Sequence, residues 1–247
     1  MQDIQNDNQP NPKQDENQQI EQKNNLEQNP KNDENQQTKQ KDNLEQNPQN
    51  EQNEQLAPLN EKQNEFAVSP LEDSKLLGIP GGGKTTTIIY KILKHFEKKD
   101  FKLKGEFLIL MFGKKVRFDF IEKGNNVAKI IKKPNTFSKE NVRTFHSLAG
   151  TIIQKISEKT CTSLQVAIAS AIKIVKLNTE KKLREIKCLK NLKLIVVDES
   201  QDMSDIQYEL VTELKNKLKI NLILVGDPNQ NIYQFQNGSD EYLMNYN

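Results

Sequence analysis

Eight residues limit the folds open to this chain more than any other stretch. Gly78-Ile-Pro-Gly-Gly-Gly-Lys-Thr85 fits the pattern G-x-x-x-x-G-K-S/T and stands between a short apolar segment, Lys75-Leu-Leu77, and the helical pattern of Thr86-Thr-Ile-Ile-Tyr-Lys-Ile-Leu93. A strand, a glycine-rich turn and a helix in that order make a phosphate-binding loop. Glycines at 81, 82 and 83 let backbone N–H groups converge on phosphate oxygens, and the following helix points its positive end at them. In that arrangement Lys84 reaches the β- and γ-phosphates of a nucleoside triphosphate and Thr85 ligates Mg2+, with Gly78, Pro80 and Thr86 completing the cradle. The ligands expected are therefore ATP and Mg2+.

Such a loop belongs to an α/β fold in which helices flank a mainly parallel sheet. From Leu56 onward short apolar runs alternate with amphipathic stretches, as that class requires. The pattern predicts strands near 75–78, 106–112, 193–198 and 221–226, and helices near 60–68, 84–97, 146–157, 162–177 and 204–217. In the fourth of these helices Val166, Ala167, Ile168, Ala171, Ile172 and Val175 read as core. A second chemical signal closes the strand Leu192-Lys-Leu-Ile-Val-Val, which ends in Asp198 and Glu199. Sheets of this class present functional groups at their carboxyl ends. Asp198 is expected on the metal side beside Thr85, and Glu199 as the general base that takes a proton from the water attacking the γ-phosphate.

Further segments, in a fixed order across residues 58–238, resemble the motifs of UvrD/Rep-type superfamily 1 DNA helicases. Leu59-Asn-Glu-Lys-Gln63 resembles the adenine-reading Q motif, Phe107-Leu-Ile-Leu-Met-Phe112-Gly-Lys114 motif Ia, and Thr144-Phe-His-Ser-Leu148 motif Ib. Asp198-Glu-Ser-Gln-Asp202 matches the D-E-x-Q-D form of motif II. Gly226-Asp-Pro-Asn-Gln230-Asn-Ile-Tyr233-Gln-Phe235 is similar to motif III, and its Gly-Asp-Pro opening is similar to that of the eukaryotic F-box DNA helicases within the group. The resemblance implies a RecA-like P-loop NTPase domain in which Gln63 reads the base and Gln230 senses the γ-phosphate. It also implies a single-stranded DNA path over Phe112, Thr144, His146, Tyr233 and Phe235. Flat aromatic faces suit that role, because each base stacked on one is worth roughly 1–3 kcal/mol. Tyr233 and Phe235 also suit packing under the sheet edge, and Phe112 and His146 a place in the core. Lys114, Lys115, Arg117 and Lys123 follow the motif Ia strand and suit either a phosphate path or a solvated helix face.

The first 55 residues differ in kind. Of these, 28 are Asn or Gln, and the segment from Pro12 to Asn29 recurs, with most positions identical, eighteen positions later from Pro30 to Asn47. A stretch this polar cannot offset its ordering entropy, so a disordered arm at 1–55 precedes a folded domain at 56–247. The arm also segregates charge: it holds 5 Lys against 12 acids, leaving 31 basic and 22 acidic residues in the rest. A polyanionic partner fits that excess. Cys161 and Cys188 lack metal-ligand spacing and are read as reduced thiols of an intracellular protein, nuclear if the source is eukaryotic. No apolar run is long enough for a membrane span, so no membrane partner is expected.

Three departures from the family pattern bear on activity. Gln236-Asn237 stands where members usually carry Arg-Gly, and the accessory subdomain between motifs Ib and II is reduced to a helical insertion at about 151–190. The sequence stops at Asn247, just past motif III, so the second RecA-like domain that the resemblance implies, with its adenine-stacking Tyr and phosphate-reaching Arg, is absent from these residues, as expected of a fragment, a truncated gene or one piece of a split enzyme. The expected activity is an ATP-dependent DNA helicase or translocase. The alternative is a partial or inactive form that binds ATP and single-stranded nucleic acid without unwinding, and a third reading makes the Asn/Gln arm a self-associating tether.

Overall fold

A computed structural model describes residues 58–157, 164–230 and 241–246. The arm at 1–55, Cys161, and the motif III residues Tyr233, Phe235, Gln236 and Asn237 lie outside the described residues. Five strands form one sheet: β1 (Ser74–Leu77), β2 (Phe107–Met111), β3 (Val142–Thr144), β4 (Leu194–Val197) and β5 (Asn221–Gly226). Every pairing is parallel and the spatial order is β1-β5-β4-β2-β3. The helices are α1 (Glu61–Val68), α2 (Lys84–Glu97), α3 (Lys114–Ile130), α4 (Phe145–Ser157), α5 (Leu164–Leu177), α6 (Glu180–Leu183), α7 (Asp205–Leu218) and α8 (Glu241–Asn245).

Parallel strands covered on both faces read as unbroken apolar runs, and the central strands do so for that reason. Successive side chains of β2 alternate between two cores: Leu108 and Leu110 join one, Phe107, Ile109 and Met111 the other. In β4 and β5 the same alternation sends Ile195, Val197, Leu222 and Leu224 toward α4, α5 and α7, and Leu194, Val196, Ile223 and Val225 toward α2 and α3. The α/β fold with a helix-flanked parallel sheet is thus borne out. All four strands read from the sequence are present, with ends displaced by one residue at most.

Four elements were not read from the sequence: α3, β3, and α6 and α8, which at four and five residues are too short for a helical period to register. α3 carries Gly124-Asn-Asn in its middle and exposes Val116, Phe118 and Ile130, which blurs its amphipathic pattern. β3 is three residues long with Arg143 at its centre, too short for alternation to register. In α5, Ala167, Ile168, Ala171, Ile172 and Val175 are buried as expected. Val166 is not: it is 54% exposed, because it falls one residue outside the stripe that faces α4 and α7.

Two helical glycines make opposite predictions. Glycine inside a helix costs about 0.5–1 kcal/mol relative to alanine. At Gly150 in α4 a Cβ meets no atom within 4 Å, so Gly150→Ala should stabilise by about that amount. At Gly124 a Cβ would lie 2.6 Å from Cδ2 and 2.9 Å from Cγ of Phe137, itself 1% exposed. Overpacking a rigid buried ring costs about 1–3 kcal/mol or more and outweighs the propensity gain. Gly124→Ala should therefore lower the urea midpoint while Gly150→Ala raises it; equal signs for the two would contradict the packing.

Candidate active site

The strand order brings the chemistry together. β5 lies between β1 and β4, so the loops leaving these three strands emerge side by side at the carboxyl edge of the sheet. The first is the Gly78–Thr85 loop, the second opens with Asp198, and the third with Asp227.

Gly81 and Gly83 adopt left-handed φ of 69° and 77°, which glycine reaches without strain. A Cβ on Gly82 would come within 2.9 Å of the Ile79 carbonyl oxygen, whose partner is the Gly82 N–H at 3.0 Å. The loop is thus a backbone cradle closed by its own hydrogen bonds. Lys84 opens α2, is 8% exposed and curls back over the loop, its Nζ donating to the carbonyls of Gly78 at 2.9 Å and Ile79 at 3.3 Å. Pro80 is exposed and Thr86 half-buried, at the two flanks of this cradle.

Thr85 Oγ1 donates to Asp198 Oδ2 at 3.2 Å, a contact joining residues 113 positions apart. Asp198 is 4% exposed and also accepts from the Glu199 N–H at 3.1 Å. Burial, and then the neighbouring Glu199 carboxylate, push the Asp198 carboxyl up to about 6, with Thr85, the Glu199 N–H and Lys84 opposing. A hydroxyl and a buried carboxylate meeting beside two more oxygens of Glu199 form an oxygen-rich donor set that suits a hard divalent cation. The residues present therefore fit Mg2+, with Thr85 and Asp198 as the protein groups that would hold it.

Glu199 has a left-handed φ of 54°, unusual for a residue with a side chain, and this turns the chain sharply out of β4 into a 3-10 turn at Ser200–Asp202. Gln201, not among the residues assigned a role from the sequence, holds that turn. It is 2% exposed; its Nε2 donates to Glu199 Oε2 at 2.9 Å and its Oε1 accepts from the Asp227 N–H at 3.1 Å. One buried amide thus links the carboxylate of motif II to the backbone of motif III. Gly226 makes room for it, since a Cβ there would lie 2.4 Å from Gln201 Oε1. Asp227 is 1% exposed, with Oδ1 accepting from the Asn229 N–H at 3.0 Å and Oδ2 without a partner among the described residues. Gln230 ends the following turn and is half-buried, its N–H on the Asp227 carbonyl at 3.1 Å.

Gln63 reaches the same loop from α1. Its Oε1 accepts from the Asn60 N–H and its Nε2 donates to the Gly82 carbonyl, each at 2.9 Å. On the far half of the sheet, Phe112 is half-buried against Phe145 with ring centroids 5.4 Å apart. Thr144 is 7% exposed, and its Oγ1 accepts from the Ser147 N–H at 3.2 Å where α4 begins. His146 is exposed beside it. Lys114, Lys115 and Lys123 are exposed along α3, whereas Arg117 is half-buried with its guanidinium 4.9 Å from the Phe118 ring centroid.

A model of the AAA domain family, of the UvrD/Rep-like superfamily 1 kind, matches residues 64–236. The chain belongs to that family. A protein of Acanthamoeba polyphaga mimivirus, provisionally named an ATP-dependent DNA helicase, is 28% identical over 194 residues, covering 77% of this chain and 27% of its own length. The RecB subunit of the RecBCD enzyme of Buchnera aphidicola subsp. Schizaphis graminum is 34% identical over 118 residues, covering 46% of this chain and 9% of its own. The chain thus spans about a quarter or less of the length of these relatives. Among the described residues no helix is long and apolar enough to cross a membrane.

Proposed function

We propose that this chain is the ATP-binding motor domain of a helicase or translocase that moves on single-stranded DNA. The observation that carries the reading is the direct contact of Thr85 with Asp198 beside the buried Lys84, at the edge where three motif-bearing loops converge. In this reading Lys84 leaves the carbonyls of Gly78 and Ile79 for the β- and γ-phosphates of ATP, and the loop N–H groups hold the remaining oxygens. Gln63 exchanges its Gly82 contact for the adenine edge. Bound Mg2+, held by Thr85 and Asp198, would neutralise charge on the phosphates. Glu199 takes the proton of the attacking water, and Gln201 keeps its carboxylate aimed while linking it to the Gln230 turn. That link gives nucleotide state a physical route to motif III.

The nucleic-acid path runs over the carboxyl ends of β2 and β3, where Phe112, Thr144 and His146 stand with the lysines of α3; the family resemblance adds Tyr233 and Phe235, which lie outside the described residues. Single-stranded DNA is expected to bind more tightly than duplex, and deletion of residues 1–55 to leave that affinity unchanged, because the basic excess lies beyond the arm. If Lys114, Lys115, Arg117 and Lys123 each neutralise one phosphate, affinity should fall roughly 50-fold between 50 and 200 mM salt. Fluorescence anisotropy with a labelled oligonucleotide measures all three. A salt-insensitive affinity, or loss of binding with the arm, would turn the assignment toward the tether reading.

A further inference from the structure

The helix that carries Gln63 is too short to hold its own place. α1 has eight residues, fully buries Ala67 alone and has no basic residue in its last turn. Helices of that length are marginal in water without packing, and their last carbonyls need partners from outside. Those partners come from the phosphate-loop helix. Lys91 and His95 on α2 and Lys98 at its C-cap, spaced four and three residues apart, all reach the end of α1 and the connector that follows it. Lys91, 1% exposed, donates from Nζ to the Phe66 carbonyl at 2.9 Å, the Ser69 carbonyl at 3.0 Å and Ser69 Oγ at 2.8 Å, with the Pro70 carbonyl at 3.3 Å. The same ammonium lies 4.7 Å from the Phe66 ring centroid. The His95 ring spans the Ser69 carbonyl at 3.0 Å and Asp100 Oδ2 at 2.7 Å, and Lys98 Nζ donates to the Val68 carbonyl at 2.6 Å.

Stability alone is a poor reason for a lysine at position 91. Burial pushes its ammonium down to about 8, against the attraction of Glu72, so the charge is kept at a cost that an apolar side chain of similar length would avoid. What the ammonium supplies instead is geometry, because it gathers four oxygens from residues 66–70 at one point on α2. The other end of α1 is tied to the phosphate loop by Gln63 itself, through the Gly82 carbonyl. Base and triphosphate are joined by a ribose of fixed length, so a base reader works only at a fixed distance from the phosphate loop.

We propose that Lys91, supported by His95 and Lys98, is a positioning residue for base recognition: by gripping residues 66–70 from the phosphate-loop helix it sets the place of Gln63 and thereby the preference for adenine. This rests on the reading of Gln63 as the adenine reader. The test is competition binding to the 247-residue chain with the Mg2+ complexes of ATP, GTP and inorganic tripolyphosphate. Wild type should prefer ATP to GTP, and Lys91→Met should cut that preference about tenfold while changing tripolyphosphate affinity less than about threefold, the former corresponding to one well-made hydrogen bond to the base. Lys98→Met, at an exposed position that does not threaten folding, should produce a smaller loss of the same kind. In a Gln63→Ala background Lys91→Met should have no further effect, since both act through one contact. An unchanged ATP-to-GTP ratio in both lysine variants, an equal loss of tripolyphosphate binding, or additivity with Gln63→Ala would overturn the proposal and leave Gln63 as reader intact. A wild type without base preference would overturn both.

Discussion

Lys84→Ala should lower the affinity for a labelled Mg-ATP analogue by at least about a hundredfold. Lys84 supplies the one buried ammonium of the loop, and its bonds to Gly78 and Ile79 are to neutral carbonyls that a triphosphate outcompetes. Each charge-assisted hydrogen bond to phosphate is worth about 1.5–3 kcal/mol, so losing two costs about 3–6 kcal/mol. The fold should survive, because α2 is anchored by Ile88, Ile89, Ile92 and Leu93, each buried to within 1%. Equilibrium titration of both proteins, with thermal melting as the folding control, measures this. Equal affinity of wild type and a folded variant would refute the phosphate-binding assignment.

How far the sequence could be read follows from what each residue depends on. The strands β2, β4 and β5 were legible because both their faces are covered, which forces long apolar runs, and the phosphate loop because its glycines and Lys84-Thr85 act through local backbone shape. α3 and β3 were not, since Gly124 serves a packing need set by Phe137 and β3 is defined by its neighbour β2 rather than by its own three residues. In the site, Asp198 and Glu199 were visible as acids at a strand end. Gln201 was visible only as a letter of motif II, because its work is to reach Asp227, 26 positions away. Lys91 gave no signal at all: on an amphipathic helix a lysine reads as solvent-facing, and only the fold shows it buried against the carbonyls of Phe66, Ser69 and Pro70. Residues that act through local geometry are thus readable in one dimension, and those that act by joining distant segments are not.

The same distinction governs turnover. Charge on the transferring phosphoryl group develops only in the transition state, and an arginine delivered to it is worth about 10³–10⁵ in rate. The 247 residues contain three arginines, Arg117, Arg143 and Arg184. Arg184 is spent elsewhere: its guanidinium binds Glu180 and the carbonyls of Leu189, Lys190, Leu192 and Leu218, by the amino end of β4 and so at the edge of the sheet opposite the phosphate loop. Arg143 sits on β3, two strands beyond β4, with Nη1 on Thr151 Oγ1 at 2.8 Å. Arg117 opens α3 after β2, adjacent to β4, but lies over the Phe118 ring. With none of the three in contact with Lys84, Thr85, Asp198 or Glu199, residues 1–247 alone should bind Mg-ATP yet hydrolyse it at a barely detectable rate, insensitive to DNA, and unwind nothing. Supplying a second motor domain that carries the family's phosphate-reaching arginine, on the same chain or a separate one, should raise the rate by about 10³-fold or more and make it DNA-dependent. Phosphate release measured with and without single-stranded DNA decides the matter. Robust DNA-stimulated hydrolysis by the 247 residues would sink the expectation, and loss of that activity in Arg117→Ala rather than Arg143→Ala would then identify the side chain that swings in from α3.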